Sequence, residues 1–123
     1  MRTAPANLGA SSFFPAAKKT ESPGCSPQAS RIAFDKLETK KRCAAAGLAT
    51  HRFTLLDSPK AGWPVGWSPP LVVKPVRQGS SVGLHFLDRV EDWREAIAEA
   101  FQHDTELLVE ERILGREATV GIL

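Results

Sequence analysis

Apolar positions along the chain recur with two different periods, and each period predicts an element. Val90, Trp93, Ile97, Ala100 and Phe101 return every three or four residues, which predicts an amphipathic helix over 90–102 with Asp88 and Glu91 as its capping box. Elsewhere the apolar residues come in short runs bounded by glycine, proline or charge. The compact run Leu71-Val72-Val73-Lys74 ends at Pro75, and comparable runs lie near 52–56, 82–87, 106–110 and 117–123. Runs of this length predict strands. The resulting expectation is an α+β fold, a mostly antiparallel sheet covered on one face by Trp93, Ile97 and Phe101.

Two helices are expected ahead of the sheet. Ser26 followed by Pro27 is an N-cap with proline at the first helical position. Asp35 and Glu38 have capping-box spacing, the body through Ala46 is rich in Lys, Arg and Ala, and Gly47 supplies a left-handed stop. Residues 1–26 show neither period and contain Pro5, Gly9, Pro15, Pro23 and Gly24, so they read as irregular. The chain thus divides into an irregular segment 1–26, linking helices 27–49 and a sheet-bearing unit 50–123. The proline- and glycine-rich stretch 57–70 cannot be regular, and its Trp63 and Trp67 are expected to pack against the core.

Composition narrows the class. A chain of 123 residues with 42% hydrophobic and 24% charged residues excludes collagen-like, coiled-coil and wholly disordered proteins. The net charge of +2 hides a split, because residues 1–60 carry ten basic and four acidic side chains and residues 61–123 carry six and ten. Lys40, Lys41 and Arg42 read as a solvated helix face, so no nucleic-acid partner is expected. Cys25 and Cys43 form no CxxC pair and have no histidine at ligand spacing; two free thiols, no zinc and a reducing cytoplasm follow. No apolar run approaches the roughly 18 residues of a membrane span. His51, His85 and His103 stand alone in sequence and read as surface or packing residues.

Two stretches carry candidate chemistry. Arg77-Gln78-Gly79-Ser80-Ser81-Val82-Gly83 joins two expected strands and combines flexible glycines, two hydroxyls and free backbone N–H groups, as a lid over phosphates needs. Neither GxxxxGK[ST] nor GxGxxG is present, so by local pattern a plain Gly-Ser turn serves as well. Lys74 favours phosphate, because a lysine beside an apolar strand run is costly to bury unless an anion or a carboxylate meets it. Glu110 and Glu117 bracket a turn, where carboxylates can accept bonds from a base amino group and ribose hydroxyls. A charged sheet edge is the alternative there.

The runs LVVKPVRQGSSVGL, EDWREAIAEAFQHD and LLVEERILGREATVGIL, preceded by SRIAFDKLETKKRCAAAGLAT, resemble the D-alanine-D-alanine ligases of the ATP-grasp superfamily from Ser26 to Leu123. The resemblance implies ATP as the bound nucleotide, magnesium as its metal and D-alanine as substrate, in peptidoglycan precursor synthesis. One D-alanine carboxylate becomes an acyl phosphate that the amine of a second attacks. It further implies that Lys36 and Lys74 hold the phosphates and that Gly79, Ser80, Ser81, Val82 and Gly83 close over them, with Ser80 as the catalytic contact. Glu110, Glu111 and Ile113 would hold the adenine and Glu117 the ribose. Magnesium ligands are expected outside this chain, which corresponds to a central nucleotide-binding subdomain that is inactive alone. A non-catalytic remnant, a weak nucleotide-binding module and a D-alanine-D-lactate ligase piece are the alternatives.

Overall fold

A computed structural model describes residues 24–121. The irregular segment expected over 1–26 lies almost wholly outside the described residues. In chain order the elements are α1 (Pro27–Phe34), α2 (Lys36–Ala45), β1 (Phe53–Leu56), β2 (Leu71–Pro75), β3 (His85–Leu87), a 3-10 turn (Val90–Asp92) running into α3 (Trp93–Ala100), and β4 (Leu107–Glu111). The fold is α+β.

The strands form one antiparallel sheet in the order β1-β4-β2-β3. β4 is therefore central, and all of Leu107 to Glu110 are buried. Side chains alternate across a strand, so each strand presents two faces. Leu71, Val73, Leu107 and Val109 meet Trp93, Ala96, Ile97 and Ala100 of α3, and with Leu56 and Leu87 they form the core. Trp63 and Trp67 pack against it from the irregular loop, as expected. Trp93 donates its indole N–H to the Ala61 carbonyl at 3.0 Å, and its ring meets Trp63 edge-on, 5.3 Å between centroids. The loop thus closes the end of the core, with the Trp63 indole N–H donating to the Trp67 carbonyl at 2.9 Å.

Local signals account for the two N-terminal helices. Ser26 Oγ accepts from the Ala29 N–H at 3.1 Å, and Asp35 Oδ1 accepts from the Glu38 N–H at 2.8 Å. After α2 the chain turns at Gly47, φ +71°, with Leu48 N–H bonding to the Cys43 carbonyl and Gly47 N–H to that of Ala44. That pair of bonds is a Schellman stop. Neither helix has a buried residue, so polar bonds rather than apolar area attach them to the sheet. No helix among the described residues is long and apolar enough to cross a membrane.

Three expectations need correction. The strand expected over 82–87 is confined to His85–Leu87, because Ser80, Ser81 and Gly83 all take positive φ and turn the chain before it can extend. The strand expected over 117–123 is absent from its described part, 117–121. The chain leaving β4 passes over the sheet face, where Ile113 and Glu117 line a groove with Val72 and Phe86, and so does not run along the open edges at β1 and β3. The capping box at Asp88 and Glu91 does not form: the turn opens at Arg89 with no side-chain cap, and Asp88 instead accepts from Arg112 at 3.3 Å. Asp88 sits too far before α3, whose first residue is Trp93, to reach its amides.

Candidate functional site

The sheet face away from α3 carries the charged site. On β2, Val72 and Lys74 alternate with the core residues; on β4, Leu108 and Glu110 do. The register sets Val72 opposite Glu110 and Lys74 opposite Leu108, which makes Lys74 and Glu110 diagonal neighbours. Glu110 is only 3% exposed, the one buried charged residue among those described. Lys74 pairs with its Oε2, and Lys40 of α2 meets its Oε1 at 2.5 Å. Burial alone would push the Glu110 carboxyl up, but the Lys40 and Lys74 ammonium groups outweigh it and hold the group below the ordinary carboxylate range. The cost of burying Lys74 is met by this carboxylate.

Lys36, one helical turn before Lys40, reaches the end of β2. Its ammonium donates to the carbonyls of Pro75 (3.0 Å), Val76 (3.4 Å) and Gln78. Burial and then the nearby Lys74 charge lower its pKa. The root of the serine loop is held from the other side by Arg77, whose guanidinium bonds Asp104 at 2.5 Å and Glu106 at 2.6 Å while its N–H bonds Asp104 at 2.8 Å. These bonds carry the Asp104 carboxyl below its usual value although burial pulls the other way.

Two grooves meet at Lys74, Glu110 and His51. One, of about 370 Å³, runs beneath α2 and is lined by Lys36, Thr39 and Lys40 as well. The other, of about 350 Å³, has an apolar floor of Val72, Leu84 and Phe86, and a far wall of Glu111, Ile113 and Glu117. Arg112 stacks over the Phe86 ring at 4.4 Å. Among the described residues, no backbone-to-backbone bond involves the main chain from Ile113 onward, so its polar groups face the groove or solvent.

Of the residues singled out from sequence, the fold brings Lys36, Lys74, Glu110, Glu111, Ile113 and Glu117 around these adjoining grooves. Gly79, Ser80, Ser81, Val82 and Gly83 line neither; their loop stands beyond the end of β2 with both serines exposed. Gly83 is needed there, since a Cβ would come within 2.8 Å of Pro75 and 2.9 Å of His103 at φ +66°. Gly79 has open space apart from Phe34 at 3.6 Å.

Lys40 escaped the reading of Lys40, Lys41 and Arg42 as one solvated face. Lys41 and Arg42 are exposed, whereas the Lys40 side chain is 11% exposed and bonded. Its spacing of four from Lys36 was the available signal, because such residues share a helix face. His85 and His103 are likewise not isolated: both contact Glu99, His103 at 2.9 Å, and the two histidines, His85 first, hold that carboxyl below its ordinary range. Cys25 and Cys43 are free thiols.

The chain is similar to known proteins in sequence and in fold. The family described as D-ala D-ala ligase C-terminus matches residues 64–123. The D-alanine--D-alanine ligase of Syntrophotalea carbinolica is 41% identical over 98 residues, covering 77% of this chain and 31% of that protein. That of Trichlorobacter lovleyi is 44% identical over 99 residues, with the same shares. A solved D-Ala:D-Ser ligase from Enterococcus faecalis superposes with a TM-score of 0.65 at 30% identity, covering 74% of this chain and 28% of that one. The chain therefore spans under a third of the length of the curated relatives that it matches. By the sheet, the order of its blocks and these likenesses together, the chain belongs to the D-alanine-D-alanine ligase family.

Proposed function

We propose that this chain forms the nucleotide-binding wall of an ATP-dependent D-alanine-D-alanine ligase, a cytoplasmic enzyme of peptidoglycan precursor synthesis. The observation that carries the reading is the junction of the two grooves at the Lys74–Glu110 pair: a cation and a buried carboxylate stand side by side, with an apolar slot on one side and a second lysine on the other. The donor set suits ATP. A purine fits between Val72, Leu84 and the Ile113 main chain, with its amino group toward Glu110. Glu117 at the far wall suits ribose hydroxyls, and Lys74 and Lys36 suit phosphate. ATP, when bound, supplies the phosphoryl group that activates a D-alanine carboxylate.

The chain's own contribution is to position and to neutralise charge. Lys74 turns from Glu110 to phosphate oxygen, and Lys36 trades backbone carbonyls for the same partner. Both moves replace an existing bond, so neither ammonium is left bare. The loop carrying Ser80 and Ser81 stays rooted at Arg77, which lets its tip close over the phosphates, Ser80 nearest the reacting group, without loosening β2. Among the described residues no group of three or more His, Cys, Asp or Glu is placed to hold a metal ion.

Transition-state stabilisation in such chemistry rests on metal and oxyanion donors, and removing even one donor costs roughly 100-fold to 1000-fold. The purified 123-residue chain is accordingly expected to bind ATP no tighter than about 1 mM and to turn nothing over. Binding should weaken on the order of 10-fold in Lys74→Ala, where a charged bond is lost, and a few-fold in Glu117→Ala. Titration of the chain with ATP, alongside an ADP-release assay with D-alanine, tests both statements. Indifference of binding to both substitutions would remove the nucleotide reading, and turnover would remove the claim of inactivity.

A further inference from the structure

Lys40 belongs to one groove and acts at the other. It lines the space beneath α2 with Lys36 but does not reach the apolar slot, whereas Glu110 and Lys74 line both. Its ammonium approaches Glu110 from behind, bonding Oε1 at 2.5 Å, while Lys74 takes Oε2. The position is prepared: Lys40 also donates to Thr50 Oγ1 at 2.7 Å and to the His51 carbonyl at 3.4 Å and lies 5.2 Å from the centre of the Phe53 ring, so it is held by groups other than Glu110.

The arrangement divides labour between the two lysines. A phosphate arriving at Lys74 competes for its charge, and Glu110, 3% exposed, then has Lys40 as its remaining cation. A buried carboxylate without a cation takes up a proton and becomes a donor on one oxygen. With a cation behind it the group stays an acceptor on both. We propose that Lys40 is a positioning residue for base selection: by holding Glu110 as a fixed acceptor, it makes the slot prefer a 6-amino purine nucleotide over a 6-oxo one. The inference rests on the nucleotide reading above and adds to it the residue that sets base preference.

The test uses the full 123-residue chain titrated with ATP and, separately, with inosine triphosphate, which differs in the group at purine position 6. The unaltered chain should bind ATP more tightly, on the order of 10-fold, the cost of setting an oxo group against an unpaired acceptor. Lys40→Met should bring the two affinities within about two-fold of each other, and Lys40→Arg, which restores a cation, should recover most of the preference. If Lys40→Met does not fold, Lys40→Gln makes the same comparison, with a donor retained but the charge gone. Glu110→Gln, whose amide presents either a donor or an acceptor, should also lose the preference, and adding Lys40→Met to it should reduce selectivity no further.

Equal weakening of both nucleotides in Lys40→Met, with their ratio kept, would overturn the proposal and make Lys40 a tether for α2. No preference in the unaltered chain would also overturn it while leaving nucleotide binding intact. Failure of the unaltered chain to bind either nucleotide would overturn both readings.

Discussion

Two glycines four residues apart in the serine loop should respond very unequally to the same substitution. At Gly83→Ala the new methyl would lie 2.8 Å from Pro75 Cγ and 2.9 Å from His103 Cδ2, and the backbone would keep φ +66°. Left-handed backbone costs an L-residue roughly 1–2 kcal/mol. Overpacking typically adds about 1–3 kcal/mol when the neighbours cannot yield. Neither yields easily here: Pro75 is a rigid ring, fully buried at the end of β2, and His103 is tied to Glu99. The expected loss is therefore on the order of 2–5 kcal/mol, or roughly 10 °C or more in melting temperature for a domain of this size. At Gly79→Ala the methyl meets only Phe34 Cε2 at 3.6 Å, an ordinary contact, so the change should stay within about 0.5 kcal/mol. Thermal unfolding followed by circular dichroism, with both variants in one buffer, reads the contrast. Equal destabilisation by the two substitutions, or a neutral Gly83→Ala, would refute the placement of the loop against β2.

Other expectations follow from the core, the ion pairs and the helices. Trp93→Ala removes a ring that is 3% exposed and should cost about 3–5 kcal/mol in urea unfolding; a midpoint that hardly moves would take α3 out of the core. Glu110 and Asp104 both have folded pKa values below their ordinary ones, so their contribution is fully present above the unfolded values of about 4 and is lost as pH falls through the folded ones. Melting temperature should thus be nearly flat from about pH 7 to 5 and fall below about pH 4.5, with a smaller fall in Glu110→Gln; a decline that begins near neutrality would contradict this. Amides of α1 and α2 should exchange faster than those of β2 and β4, because neither helix buries a residue; slow exchange throughout residues 27–46 would contradict it.

Much of this was legible in the residues. The three- and four-residue spacing from Trp93 to Ala100 describes α3, and the Leu71 and Leu107 runs describe the two inner strands. Caps at Ser26 and Asp35 read correctly because they depend on neighbours in sequence alone. What failed to read was set by distant partners. Val82 and Leu84 are apolar enough for a strand, yet the preceding serines turn the chain. Residues 117–121 have strand-like composition but follow a segment that crosses the sheet face beside Val72 and Phe86 rather than an open edge. Asp88 and Glu91 satisfy the spacing of a cap, while the helix they were to open starts two residues after Glu91.

The site divides in the same way. Lys74 could be picked out as a lysine too costly to bury alone and Glu110 as a carboxylate beside a turn, but the register that makes them neighbours is a property of the sheet. Lys40 was hidden in a basic run whose other two members are solvent-exposed; only the docking of α2 separates it from them. The link between His85, Glu99 and His103 joins a strand, a helix and the turn after it, and no local pattern announces it.

The most direct test is where ATP lands. Amide shifts of the labelled 123-residue chain, followed through an ATP titration, should move most at Val72, Lys74 and residues 110–117, with smaller changes at Lys36 and the serine loop. Shifts confined to the exposed basic residues Lys41 and Arg42, with the Glu110 slot unmoved at saturation, would contradict a nucleotide site at the Lys74–Glu110 junction.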